Sequence, residues 1–296
     1  MTYHKPVLIR EVLQYLNPQP GEVFLDVTFG GGGHTRAILE AQPECSVVAM
    51  DWDTMAIDLN APPLQEEFGS RFKMVWGNFS NLYRIVKKEK IGPFNGILAD
   101  FGTSQFQIHE RPGFSFSKDT PLDMRMSPAH QMMTAANIIN TYSEEGLAKI
   151  FFEWGEERNS RLFAKTIVQE RVKKTINTTK DLVDIVEKLF PVKAFRAQHR
   201  IHPATRIFQA LRIAVNDELN NIQSFLSAAV PLLKPQGRLA CISFHSLEDR
   251  LVKNFFLQHN QTLSAVTKKP VTAQPDELDE NASSRSAKLR AAIKIG

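Results

Sequence analysis

The amino-acid sequence predicts an α/β fold: a mostly parallel, Rossmann-like sheet with helices on both faces and an inserted helical domain. Three observations carry that expectation. Short apolar segments rich in β-formers alternate with helix-like segments from Val23 to Asp100. Three of those segments end on an acid, at Asp26, Asp51 and Asp100, which places the carboxylates along one sheet edge. The alternation then stops between His109 and Pro203, where only helical spacing is found, and resumes afterwards.

Taken in order, Val23 to Thr28 (VFLDVT) reads as a buried strand that ends at a glycine cluster. His34 to Ala41 reads as a short helix, and Ser46 to Asp51 (SVVAMD) as a second strand. Ala56 to Phe68 has helical character that Pro62 and Pro63 interrupt. Phe72 to Trp76 is the third strand, Leu82 to Lys90 a helix, and Gly96 to Asp100 (GILAD) the fourth strand. Within the insert, Gly146 to Trp154 and Arg161 to Lys173 carry apolar stripes at helical spacing. Thr178 with Asp181 forms a capping-box pattern that opens a helix to Phe190. A long helix from Ala204 to Ala229 returns the chain to the sheet, followed by strands at Gly237 to Phe244 and Leu289 to Ile295. Thr262 to Ser284, polar and poor in apolar residues, is expected to be a mobile loop. The resulting domain boundaries are 1–108 with 204–296 for the sheet domain and 109–203 for the insert.

Composition narrows the function. With two cysteines, Cys45 and Cys241, the chain offers neither a disulfide framework nor a cysteine-rich zinc site, and a reducing, cytoplasmic setting is expected. Met1 to Leu13 has no apolar h-region and does not read as a signal peptide, and the absence of a long apolar run argues against a spanning helix. The net charge of +4 is unevenly spread. Phe151 to Asn216 holds thirteen Lys and Arg against seven acids, a surplus of +6, which leaves −2 for the rest. Such a segment is either a nucleic-acid footprint or a set of solvated helix faces.

Asp26 to His34 (DVTFGGGGH) combines a strand end, a glycine turn and a helix start, an arrangement that lets backbone approach a ligand closely. A dinucleotide fingerprint fails, because its third glycine position falls on Thr35 or Arg36. S-adenosylmethionine, which has no pyrophosphate, fits better, and Asp51, twenty residues after Gly31, suits its ribose hydroxyls. A tight turn without a ligand is the plain alternative. Asp100, ending the fourth strand, could accept from a cytosine amino group, help to place the cofactor, or simply cap a turn. His245, Glu248 and Asp249 share a helix face at i, i+3 and i+4. A base contact or a helix-start network is favoured there over a metal, and no metal site is expected. His199 and His202 lie among Arg196, Arg200 and Arg206, an RNA-backbone contact or a surface basic patch.

At these residues the chain resembles the MraW/RsmH family, the bacterial 16S rRNA N4-cytosine methyltransferases. The matching stretches run in order through nearly the whole chain: HKPVLIREVL (His4 to Leu13), DVTFGGGGHTRAIL (Asp26 to Leu39), GILADFGTSQFQ (Gly96 to Gln107), PLDMRM (Pro121 to Met126), HPATRIFQALRIAVNDEL (His202 to Leu219), SFHSLEDRLVK (Ser243 to Lys253) and SRSAKLR (Ser284 to Arg290). The resemblance implies a class I S-adenosylmethionine-dependent methyltransferase fold whose insert recognises substrate. It implies S-adenosylmethionine contacts at Gly32, Gly33, His34, Asp51, Phe79, Asp100 and Gln107, with Asp100 also the catalytic candidate. On the substrate side it points to Arg125, Arg206, His245 and Arg250. The implied partner is 16S rRNA of the small ribosomal subunit, with no membrane and no DNA, and with monomer or homodimer left open. The chain departs from the family pattern at Phe101, Thr103, Gln105 and Pro112, and at Asn281 to Ser283. Two other readings stand beside it. One is a non-catalytic RNA-binding assembly factor, motivated by those departures; the other is a nicotinamide-dependent dehydrogenase, motivated by the glycine turn alone.

Overall fold

Helix α1 (Ile9–Leu16) opens the described chain and β1 (Val23–Asp26) follows it. The computed structural model describes residues 6–102, 111–128, 130–190 and 202–296. Next come α2 (Gly33–Ala41), β2 (Ser46–Asp51), α3 (Thr54–Phe68), β3 (Phe72–Trp76), α4 (Leu82–Glu89) and β4 (Phe94–Asp100). Strand positions match the sequence expectation closely, but α3 does not break. Pro62 and Pro63 lie inside it, and the carbonyls that lose their donors belong to Asp58 and Leu59. All four residues are on the exposed face, where water takes over the lost hydrogen bonds. Asp53 caps the helix, accepting from the Met55 amide.

One of two compact units, Gln105–Glu218, is helical. It comprises α5 (Ala135–Thr141), α6 (Glu144–Glu153), α7 (Ser160–Lys173), α8 (Thr179–Leu189) and α9 (Ala204–Asn216). The capping box expected at Thr178 and Asp181 opens α8, and a second, formed by Thr134 and Asn137, opens α5. Leu147, Phe151, Phe163, Ile167, Leu182, Ile207 and Leu211 pack into its core. The expected helix from Ala204 to Ala229 is therefore two helices. Asp217 turns left-handed (φ 51, ψ 38), which ends α9, and Arg212 clamps Glu218 with two bonds of 2.9 Å. The domain boundary consequently falls after Glu218 rather than at 203/204. Asp is one of the few side chains that tolerates the left-handed region, so the break was written in Asn216-Asp217 although the apolar pattern runs through it.

Met1–Ser104 with Leu219–Gly296 form the other unit. Here α10 (Glu218–Leu232) leads into β5 (Leu233–Ser243), α11 (Ser246–Gln258), β6 (Leu263–Ala265), α12 (Pro275–Glu280) and β7 (Lys288–Lys294). The sheet order is β3-β2-β1-β4-β5-β7-β6, with β7 antiparallel to both of its neighbours and the other pairs parallel. Because side chains alternate along the extended chain, β1 sends Leu25 to one face, with Val27 just beyond the strand on the same side, and Phe24 to the other. The first face packs on Phe225, Leu226 and Val252; the second packs on Val12, Leu16, Ile38 and Leu64. Each such fully buried side chain contributes about 1.5–3 kcal/mol of apolar burial. The segment expected to be a mobile loop, Thr262 to Ser284, instead carries β6, α12 and a 3-10 turn at Ala282–Ser286. It is held by contacts remote in sequence: Leu8 N donates to Glu277 at 2.7 Å, and Val271 bridges Leu289. No helix among the described residues is long and apolar enough to cross a membrane.

Candidate functional site

The ends of β1, β2 and β4 gather the expected residues at the carboxyl edge of the sheet. The glycine turn after β1 is pinned from several sides. Phe29 N donates to the Met50 carbonyl at 3.0 Å, Gly30 N donates to Asp51 Oδ2 at 2.7 Å, and the Asn60 amide donates to the Gly30 carbonyl at 3.1 Å. Gly32 has φ +74, and a Cβ there would meet the Phe29 ring at 2.9 Å, so only glycine is at ease. Gly33 starts α2 with Pro6 against it, where a Cβ would lie 2.6 Å from Cγ.

Asp51 gives one oxygen to Gly30 N and the other to Asp53 N at 2.9 Å. A carboxylate has about four acceptor positions, so the group keeps capacity to accept from a ribose hydroxyl. Burial pushes its carboxyl up to about 6, against the pull of the Asp53, Gly30 and Trp52 amides.

A second acid cluster lies one strand over. Asp26 is buried and accepts from Thr35 Oγ1 at 2.8 Å and Thr28 N at 3.1 Å. Thr28 Oγ1 in turn accepts from Asp100 N at 2.7 Å, tying the end of β4 to the end of β1. Asp100 Oδ1 is buried without a hydrogen-bond partner among the described residues. Its Oδ2 faces His34 Nδ1 at 3.9 Å, while His34 Nε2 donates to the Val7 carbonyl at 2.8 Å. Burial raises Asp100 to about 6 and also raises Asp26, and the nearby His34 pulls both down. Phe79, partly buried, meets Phe101 at 6.1 Å and Phe225 at 5.8 Å between ring centroids. Gln107 lies outside the described residues.

At the end of β5, His245 caps α11 and forms a capping box with Glu248. Glu248 Oε2 accepts from Phe244 N at 2.7 Å, and His245 Nε2 lies 3.2 Å from Oε1 without hydrogen-bond geometry. Asp249 is taken by Arg290 through bonds of 2.6 and 3.1 Å. Of the two favoured readings of this triplet, the helix-start network is what its contacts build. Arg250 is exposed on the same helix.

In the helical unit, Arg125 grips Asp123 with Nε at 2.7 Å and a second nitrogen at 2.8 Å, and also donates to the Gln131 carbonyl. Arg206 is partly exposed, 3.7 Å from Glu157. The surplus of cations is less available than the sequence suggests. Lys173 and Lys188 share Glu170, Lys174 pairs with Asp181, Lys180 pairs with Asp184, and Arg171 donates to the Ile139 and Tyr142 carbonyls. Arg158, Arg161 and Lys165 are exposed. His202 meets the Phe116 ring at 4.9 Å in a tilted arrangement and reaches Glu187 at 3.1 Å; His199, Arg196 and Arg200 lie outside the described residues.

Sequence reasoning passed over several parts of this site. Thr28 stood inside the quoted motif without a role, and Pro6 and Val7 lay in the N-terminal motif. Asn60, on α3, carried no signal at all.

The residues present fit a sulfonium nucleoside: a glycine cradle, a diol-competent acid, an aromatic face and an orphaned carboxylate oxygen. Comparison with known proteins points the same way. The chain is 48% identical over 97% of its length to a ribosomal RNA small subunit methyltransferase H of Crocosphaera subtropica, covering 88% of that protein. It is 48% identical over 97% of its length to the protein of the same name from Picosynechococcus, covering 95% of it. The Carboxydothermus hydrogenoformans protein of that name is 43% identical over 99% of the chain and 98% of its own length. A family model described as the MraW methylase family matches residues 1–295, and the chain belongs to that family.

Proposed function

We propose that this protein is an S-adenosylmethionine-dependent methyltransferase acting in the cytoplasm on the exocyclic N4 of a decoding-site cytidine in 16S rRNA. The observation that carries the reading is Asp100 Oδ1, a buried acceptor without a partner at the strand end beside the glycine cradle. S-adenosylmethionine, when bound, supplies an electrophilic methyl carbon. Gly32, Gly33 and the start of α2 would seat its amino-acid end, Asp51 its ribose hydroxyls, and Phe79 the face of its adenine.

The N4 amine is a poor nucleophile because its lone pair is delocalised into the ring. Asp100 accepts a hydrogen bond from it, which orients the amine and raises its electron density. The base must leave its stack to line up with the methyl carbon. Transfer is direct, since Cys45 and Cys241 are buried and burial raises both thiols, which disarms them as nucleophiles. The helical unit binds RNA backbone through exposed cations such as Arg158, Arg161 and Lys165, with Arg125, Arg206, His245 and Arg250 on the substrate side.

The test incubates purified protein and labelled S-adenosylmethionine with unmodified small subunits, digests the RNA to nucleosides and identifies them by mass spectrometry. N4-methylcytidine at one site is expected. A mark on another nucleoside refutes the base assignment, and bound cofactor without any mark refutes catalysis in favour of an assembly factor.

A further inference from the structure

Methyl transfer to an exocyclic amine leaves a proton to be disposed of, and the structure offers a place for one. The Val7 carbonyl can only accept, so His34 Nε2, 2.8 Å away, carries the ring hydrogen. A neutral His34 therefore turns a bare Nδ1 toward Asp100 Oδ2, 3.9 Å away. Two acceptors face each other there, an arrangement that one added proton would bridge if the pair closed. The other charged groups facing the pair are Asp26 from β1 and Glu248 from α11, both carboxylates. His34 and Asp26 are both buried. Asp100 itself is divided: Oδ1 is orphaned and Oδ2 looks at the imidazole.

Resting on the amine-methylation reading, we propose that Asp100 and His34 together accept the proton released by the target amine, His34 acting through Asp100 as a positioning residue. As the nitrogen–carbon bond forms, the sulfur–carbon bond breaks and its electron pair stays on sulfur. The amine gives up one hydrogen as a proton to Asp100 Oδ1. Rotation of the now neutral carboxyl about its Cβ–Cγ bond turns that same proton toward His34 Nδ1, which takes it as the pair closes from a spacing too long for a hydrogen bond; catalytic contacts commonly tighten in the loaded complex. Product release returns the proton to solvent.

The test has two arms. Nitrogen-15 NMR of the imidazoles in unliganded wild-type protein should show His34 as the Nε2–H tautomer at pH 8. An Nδ1–H tautomer at pH 8 overturns the proposal whether or not the protein methylates cytidine. The second arm uses His34→Gln, whose amide keeps the donor to Val7 and loses the basic nitrogen. S-adenosylhomocysteine affinity is titrated in parallel and single turnover is run at saturating cofactor, so that lost binding is separated from lost rate. The single-turnover rate should fall about a hundredfold, the lower end of proton-transfer catalysis. Its acid limb should move to higher pH, because the cation that holds Asp100 down is gone. An unchanged rate with an unmoved limb, or loss confined to cofactor affinity, overturns it. A wild-type protein that makes no N4-methylcytidine refutes the activity, and the NMR arm still decides where the proton sits.

Discussion

Cofactor affinity should fall with acidity, and Asp51 sets where. Its carboxyl is pushed up to about 6 by burial, although Gly30 N at 2.7 Å and Asp53 N at 2.9 Å both favour the anion. In an unfolded chain the same group titrates near 3.8. Between those values the folded protein holds the extra proton, so the group's contribution to stability declines as pH rises toward 6. Bound ribose hydroxyls donate to the anion and reverse that preference, so binding requires the ionised form. At pH 5 only about a tenth of Asp51 is ionised, and the apparent Kd for S-adenosylhomocysteine should be about tenfold weaker than at pH 7.5. Asp51→Asn should remove this slope. It should also weaken binding at pH 7.5 by about 10- to 100-fold, the cost of about 1.5–3 kcal/mol for lost hydrogen bonds to a charged group. Isothermal titration calorimetry across pH 5.0–7.5, with circular dichroism to confirm folding, reads both. A Kd constant over that range, or an equal slope in Asp51→Asn, refutes the assignment of Asp51 to the ribose.

Three further outcomes follow from particular contacts. Gly32→Ala, at φ +74 and with its Cβ 2.9 Å from Phe29, should lose about 1–3 kcal/mol in urea unfolding; an unchanged midpoint would mean the turn is free to relax. Arg290→Met strands Asp249 in a nearly buried site and should cost about 3–5 kcal/mol, read as a large drop in Tm. Adding Asp249→Leu should restore most of it, and no restoration would show that packing rather than charge is lost. Arg161→Glu with Lys165→Glu, both exposed on α7, should weaken binding to small subunits and flatten its salt dependence. An unaltered slope would remove that face from the RNA footprint.

What the sequence discloses here depends on how local the physics is. Strands β1 to β4 are buried and apolar, and each of β1, β2 and β4 stops on an acid that cannot continue inward, so both their position and the site edge were legible. The glycine turn was legible because glycine is needed where φ is positive, as at Gly32. Elements held by distant partners were not. Helix α12 is six residues long and polar, and it exists because Glu277 accepts from Leu8 N at the other end of the chain. Proline was over-read in α3, where its cost is borne by solvent-facing carbonyls. The apolar stripe spanning Ala204 to Ala229 was also over-read, since periodicity is blind to one left-handed residue at Asp217.

The same distinction separates binding from chemistry in the site. Asp51 spends both oxygens on backbone amides of the turn it serves, so its place was readable from spacing alone. Asp100 has its amide tied to Thr28 and its carboxylate left toward His34, and His34 is itself set by Val7, which lies outside the sheet. An acid that ends a strand is therefore a locally encoded feature. The proton it can share is not, because it depends on three segments meeting: the one before α1, the start of α2 and the end of β4. Substitutions at Val7 that shift its carbonyl should act on the pH dependence of methylation through His34 while leaving the ribose side of the site untouched.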